Sequence, residues 1–186
     1  VGVTKPTGTT SGDWIAVAIA TPTTVGITAP SGWTQQAQVA ATGVTLTIFQ
    51  KLAGGAEPAS YTFTFASSTT YAVSAVTYRN AFTLSYVNGQ ANNAASTAMA
   101  CPGAIPGSAK DMYIMFGGVG GNVRATPPAG MTERADIGAG SLGVYAAEKL
   151  LTSNANPGTQ TATLASSATS ATICILVSPT FSALSA

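Results

Sequence analysis

The sequence predicts an all-β fold, an antiparallel β-sandwich of jelly-roll-like connectivity built from two sequence-related halves. Three observations carry that expectation. Apolar residues alternate with threonine and serine at a period of two, the pattern of strands with one wet face. The 20 Gly and 10 Pro cut the chain into short segments, as turns between strands do. Finally, the chain repeats itself: Ala29-Pro30-Ser31-Gly32-Trp33-Thr34 returns as Pro127-Pro128-Ala129-Gly130-Met131-Thr132, 98 residues later (30 to 128).

The echo runs through both halves. Gly12-Asp13-Trp14 matches Lys110-Asp111-Met112, and Gln50-Lys51-Leu52 matches Glu148-Lys149-Leu150, at the same spacing of 98. Pro58 matches Pro157, and Thr62 to Ser68 matches Thr161 to Ser167, at 99. Val73-Ser74-Ala75-Val76 stands opposite Ile173-Cys174-Ile175-Leu176 at 100. Spacings that grow one residue at a time are what small loop insertions produce. The period exceeds the roughly 20–50 residues of solenoids and propeller blades, so the unit is a duplicated half and not an array. The expected organisation is a single domain over 1–186, with halves of about 4–80 and 102–180 joined by 81–101.

Each element has its own pattern. Residues 1–11 form a loose or edge segment. Trp14 to Ala20 sets Ile15, Val17 and Ile19 on one face and alanines on the other, a central strand buried on both sides. After the connection at Val25 to Thr28, Pro30-Ser31-Gly32 turns the chain and a strand runs from Trp33 to Val39. Val44, Leu46 and Ile48 alternate with Thr45 and Thr47. Ala53 to Pro58 is a loop. Tyr61, Phe63 and Phe65 alternate with Thr62 and Thr64, and Val73 to Tyr78 closes the half. In the joining segment, Leu84 to Val87 and Met99 to Cys101 are short strands. Asn88-Gly89 is a turn dipeptide, and Asn92 to Ser96 is exposed and polar. The second half repeats the pattern at Met112 to Phe116, Thr132 to Ile137, Leu142 to Lys149, Thr161 to Leu164 and Thr172 to Ser178. Gly117 to Gly121 is a bend, and Pro179 ends the last strand. Residues 181–186 are a tail, with Phe181 against the body. The sum is ten to twelve strands, which must pack sheet on sheet to hide their apolar faces.

Composition narrows the function classes. Hydrophobic residues make up 46% of the chain and charged ones only 7%, against the usual quarter. Seven basic and six acidic residues leave a net charge of +1 with no basic cluster. Counterion release on nucleic acid and attraction to anionic membranes therefore have little to act on. No apolar run approaches a membrane span, and neither nucleic acid nor membrane insertion is expected. A surface so near neutrality suits a chain fixed in an assembly. No basic stretch followed by an apolar one opens the chain, which begins with Val; processing, or a longer product, would account for that.

Candidate sites are few. The chain has two cysteines and no histidine, so neither a metal site nor a His-based nucleophile is expected, and no cofactor is implied. A bridge between Cys101 and Cys174 would close a loop of about 70 residues and contribute about 4 kcal/mol; the alternative is two buried thiols that never meet. Asp13 and Asp111 precede the central strands as turn formers. Of the remaining acids, Glu133 and Glu148 fall at solvated strand positions open to cross-strand pairing. Neither Glu57 nor Asp136 belongs to a local carboxylate pair of the kind a glycosidase needs. Gly117 to Gly121 lacks the Lys-Ser/Thr of a phosphate loop. Trp33 is the aromatic to consider for a glycan contact, although Met131 at its counterpart favours core packing.

Gly-Asp-Trp with its apolar strand, Ala-Pro-Ser-Gly-Trp-Thr, Ile-Phe-Gln-Lys-Leu-Ala and Glu-Pro-Ala-Ser-Tyr-Thr-Phe-Thr-Phe together resemble a module of tailed-phage virion proteins and bacterial surface proteins, over roughly residues 4–180. The resemblance implies capsid decoration, a tail fibre or an adhesive protein. It transfers no catalytic residue. The expectation is a non-enzymatic virion structural protein at the virion surface, oligomeric, with copies of itself and other virion proteins as partners. A carbohydrate-binding or adhesive module, secreted or on a bacterial surface with host-surface glycan as ligand, is the alternative.

Overall fold

In a computed structural model that describes residues 1–179, the chain is all-β with antiparallel sheets and no helix among the described residues. The first half contains β1 (Gly2–Thr4), β2 (Trp14–Thr21), β3 (Ile27–Thr28), β4 (Thr34–Ala41), β5 (Val44–Leu52), β6 (Ser60–Thr62), β7 (Thr64–Phe65) and β8 (Ala72–Tyr78). A long strand, β9 (Ala81–Cys101), follows. The second half contains β10 (Met112–Gly120), β11 (Ala125–Thr126), β12 (Thr132–Ala139), β13 (Leu142–Leu150) and β14 (Gln160–Pro179). The tail with Phe181 lies outside the described residues.

Two large sheets carry the same strand order. In the first it is β4-β5-β2-β8; in the second, β12-β13-β10-β14, with β9 added outside β14 and β11 pairing the start of β14. The ladders match in register. Trp14 faces Leu52 and Tyr78, while Met112 faces Leu150 and Val177. The last strands thus correspond at a spacing of 99 (78 to 177), one less than the sequence comparison gives. The register shift between Gln35 and Ala37 in β4 recurs between Glu133 and Ala135 in β12. Small pairings recur as well: β1 with β6 and β3 with β7, against Ala100–Cys101 with Gln160–Thr161 and β11 with Thr163–Leu164.

Three cores hold the layers together. On one face of β2, Ile15, Val17 and Ile19 pack with Trp33, Phe49, Tyr61 and Phe63 inside the first half. Tyr113, Met115 and Val119 of β10 pack likewise with Tyr145, Met99 and Leu164 in the second. The opposite faces of β2 and β10 meet each other: Ala16, Ala18, Ala20, Leu46 and Ile48 share a core with Ile114, Phe116, Val144, Ala146 and Ile173. The central strands are therefore buried on both faces, and large residues on the inner face of β2 would hold the sheets apart. Alanine there admits the bulk of Phe116 and Val144 from the facing sheet, consistent with close-packed interiors. Each fully buried Ile, Leu or Phe in these layers contributes about 1.5–3 kcal/mol.

Two local expectations need correction. Asn88-Gly89 is not a turn: both residues lie within β9, opposite Cys174 and Ile173. The glycine serves close approach, since a Cβ at residue 89 would sit 2.6 Å from Val39 Cγ2 and 3.0 Å from the Thr172 carbonyl oxygen. Gly117 to Gly120 is not a bend either but the C-terminal end of β10. A Cβ on Gly117 would meet Met99 Sδ at 2.6 Å, and one on Gly118 would lie 3.2 Å from both Leu46 Cβ and Val44 Cγ2. Turn signals and close-packing signals share one residue type, which is why periodicity misreads both. Residues 81–101, expected as two short strands, form one strand, and so do the segments on either side of Ser166. Cys101 at the end of β9 and Cys174 in β14 are joined by a disulfide, with Cα atoms 6.5 Å apart.

Gly118→Val adds three carbon atoms where the halves touch. It should destabilise the chain by about 1–3 kcal/mol through overpacking, read as a lower denaturant midpoint at unchanged slope. A midpoint equal to that of the parent would mean that the two sheets are not in contact there.

Candidate functional site

A recess lies between the end of β8 and the bulge of β12, where the two sheets face each other. It is an open groove of about 290 Å³ lined by Val76, Thr77, Tyr78, Arg79, Arg134 and Glu148. Strand ends and a bulge supply its polar groups. Tyr78 is the last residue of β8, Arg79 opens the tight turn into β9, and Arg134 stands at the register shift of β12. A bulge re-aims a side chain and twists the edge, and here it directs the Arg134 guanidinium over β13.

Glu148 is the hinge of this arrangement. It is only 6% exposed, which corrects its expected solvated position. One carboxylate oxygen accepts from the Tyr78 hydroxyl at 2.6 Å; the other accepts from Arg134 Nε at 2.7 Å and lies 2.5 Å from Nη2. The bond from Tyr78 crosses between halves 70 residues apart in sequence. Burial first, and then the neighbouring carboxylate, push the Tyr78 phenol well above its usual range, so it stays protonated and donating at neutral pH. With both oxygens engaged, Glu148 ties the sheets together. Gln50 occupies the equivalent place in the first half, with a buried side-chain oxygen that has no partner among the described residues.

The remaining acids are tied into their own neighbourhoods. Asp13 is buried and accepts from the Thr10 amide at 2.8 Å and from Arg79 Nε at 3.2 Å. The Arg79 guanidinium, helped by Thr10 and opposed by burial, holds its carboxyl below the ordinary range. Asp111 accepts from the Gly107 and Ser108 amides at 2.9 and 3.2 Å, with no arginine beside it; Ser178 holds the position that Arg79 holds in the first half. Both aspartates close the turn before a central strand. Glu57 accepts from Lys51 at 2.8 Å, Tyr61 at 2.8 Å and the Gly54 amide at 2.6 Å. Burial raises its pKa, but these donors outweigh burial and leave it lowered. Asp136 pairs with Arg124, whose guanidinium also donates to the Asp136 carbonyl. Glu133 is exposed and pairs across the ladder with Ala147.

Trp33 is 9% exposed, with Tyr61 and Phe63 edge-on at 4.8 and 5.3 Å. Its ring belongs to the core and offers no face to a sugar. Exposed aromatics stand instead at Tyr71, just before β8, and at Phe82 and Tyr86 on β9. No group of three His, Cys, Asp or Glu side chains among the described residues could hold a metal ion. Sequence reasoning alone does not bring Tyr78, Arg79 and Arg134 together. Their signal was a difference between the halves, Gln50 against Glu148 and Gln36 against Arg134.

The lowered carboxyls give a pH dependence of known sign. An unfolded aspartate titrates near pH 4 (about 3.9), above the folded value of Asp13. The stability from the Asp13–Arg79 contact is therefore present above about pH 4 and is lost as pH falls through the folded value. Asp13→Asn should lower stability at pH 6 and lose less of what remains between pH 5 and pH 2 than the parent does. Urea unfolding across that range checks this; parallel curves would refute it.

Comparison of the chain with protein-family models, curated proteins and solved structures returns no match.

Proposed function

We propose that the chain is a jelly-roll-like β-sandwich formed by duplication, a single domain with halves of about 4–80 and 102–180 joined by 81–101. We further propose that it serves as a non-enzymatic structural protein of a tailed-phage virion, in capsid decoration or a fibre. The duplication is supported by the matched strand orders, registers and bulges of the two sheets. One observation supports the structural role above others: Asp13, Glu57, Asp136 and Glu148 are each engaged by a basic side chain. Much of the exposed surface besides is threonine, serine, asparagine and alanine. Such a surface suits repeated, weakly charged contacts whose strength comes from copy number. The Cys101–Cys174 disulfide favours a site outside a reducing cytoplasm.

An adhesive or carbohydrate-binding module of a bacterial surface is the second reading. It draws on Phe82, 72% exposed, and on Tyr86, both on β9. Sedimentation velocity and cryo-microscopy of the purified chain separate the two. The virion reading expects an ordered oligomer. A monomer at all concentrations that is retained on a glycan array, with retention lost on Phe82→Ala or Tyr86→Ala, would favour the adhesive one.

A further inference from the structure

The two sheets differ at one edge. In the second, the outer edge of β14 is covered by β9, paired from Thr83 opposite Ser178 to Asn92 opposite Ser170. In the first, the equivalent edge of β8 has no strand beside it among the described residues. Burial follows the covering strand. Residues 171–177 are buried throughout, while of residues 72–78 only Ala72 and Ser74 are. An uncovered edge presents unpaired N–H and C=O groups and is a template for another strand.

The facing sheet shows what holds a strand at such an edge. β9 runs beneath β4, where Gln36, at the β4 register shift, donates through Nε2 to the Leu84 carbonyl at 3.2 Å. Val39 lies directly over Gly89. The positions on β12 that match Gln36 and Val39 are Arg134 and Ile137, each 98 residues on (36 to 134, 39 to 137). β12 packs beside β8 as β4 packs beside β9 and β14. Arg134 lines the groove along β8. Ile137 is 41% exposed, whereas Val39 is packed against the shared core. The β8 edge of the first sheet and β12 of the second thus form both walls of a strand site, a ladder edge free among the described residues with a matching polar and apolar contact, without the strand.

We propose that the β8 edge is a docking site for an extended strand from a partner polypeptide with the chemistry of residues 81–97. That segment is uncharged and rich in alanine, serine, threonine and asparagine. The incoming strand pairs antiparallel with residues 72–78, its backbone carbonyls reach Arg134, and a small residue lies under Ile137. Main-chain bonds supply the affinity and the small residue the selectivity, as in other strand-addition complexes. The inference rests on the equivalence of the halves proposed above, not on a virion location; the latter is tested by assembly state, so the two fail separately.

The test uses the full chain and a capped synthetic peptide of residues 81–97. Titration calorimetry should give a Kd on the order of 10–100 µM, and hydrogen exchange should show new protection at residues 72–78. Ile137→Asp alters an exposed residue and should leave the thermal midpoint nearly unchanged while weakening the peptide at least about tenfold. A strand bound by one edge uses alternate amides. Peptides N-methylated at odd or at even positions should therefore differ, one set failing to bind and the other binding like the parent. Absence of binding at about 1 mM overturns the proposal. So does protection confined to residues 171–179, which would mean displacement of β9. Protection of residues 72–78 by self-association without peptide also overturns it, since the occupant would then be a second copy.

Discussion

The contact between the two large sheets governs everything else in the molecule. Because each sheet is covered on its outer face by its own half and on its inner face by the other, β2 and β10 have no wet side. Charge is excluded from them, and bulk must be shared out between two cores. In β2 the isoleucines and valine face the first half's own core and the alanines face the neighbour. In β10, Ile114 and Phe116 fill the shared core, and Gly118 lets the facing strand approach. A sheet buried on both faces requires both of its strand faces to be apolar, and the alternation of small and large residues is how this chain meets that demand.

The polar groups are arranged around the same contact. Glu148 sits at the rim of the shared core, where a carboxylate without donors would be costly, and it draws one donor from each half: Tyr78 and Arg134. Asp13 and Asp111, at equivalent turns, are held in different ways. The first has recruited Arg79, and the second relies on backbone amides. The greatest difference is at the edges, one closed by β9 and the other, among the described residues, open.

Much of the frame was legible in the sequence because it is local. The alternation at Val44 to Ile48, the apolar runs at Trp14 and Met112, and the recurring turns at Gly32 and Gly130, both with positive φ, each depend on neighbours a few residues away. Features set by distant partners were not legible. Glu148 looks solvated until Tyr78 arrives from the other half. Asn88-Gly89 looks like a turn until Val39 of the facing sheet explains the missing side chain, and Gly117-Gly118 looks like a bend until Met99 and Leu46 do the same. Trp33, read as either core or glycan contact, is placed by Tyr61 and Phe63. The open edge of β8 could not be seen from composition at all, since it is defined by a strand that is present elsewhere.

Native-state hydrogen exchange tests the joint core most directly. If the faces of β2 and β10 are one packed layer, the slowest amides of both strands should open together, with the same free energy and the same dependence on denaturant. If the strands of one half exchange at a clearly lower free energy and with about half the denaturant dependence, the halves unfold separately, and the layer between them is not what holds the chain together.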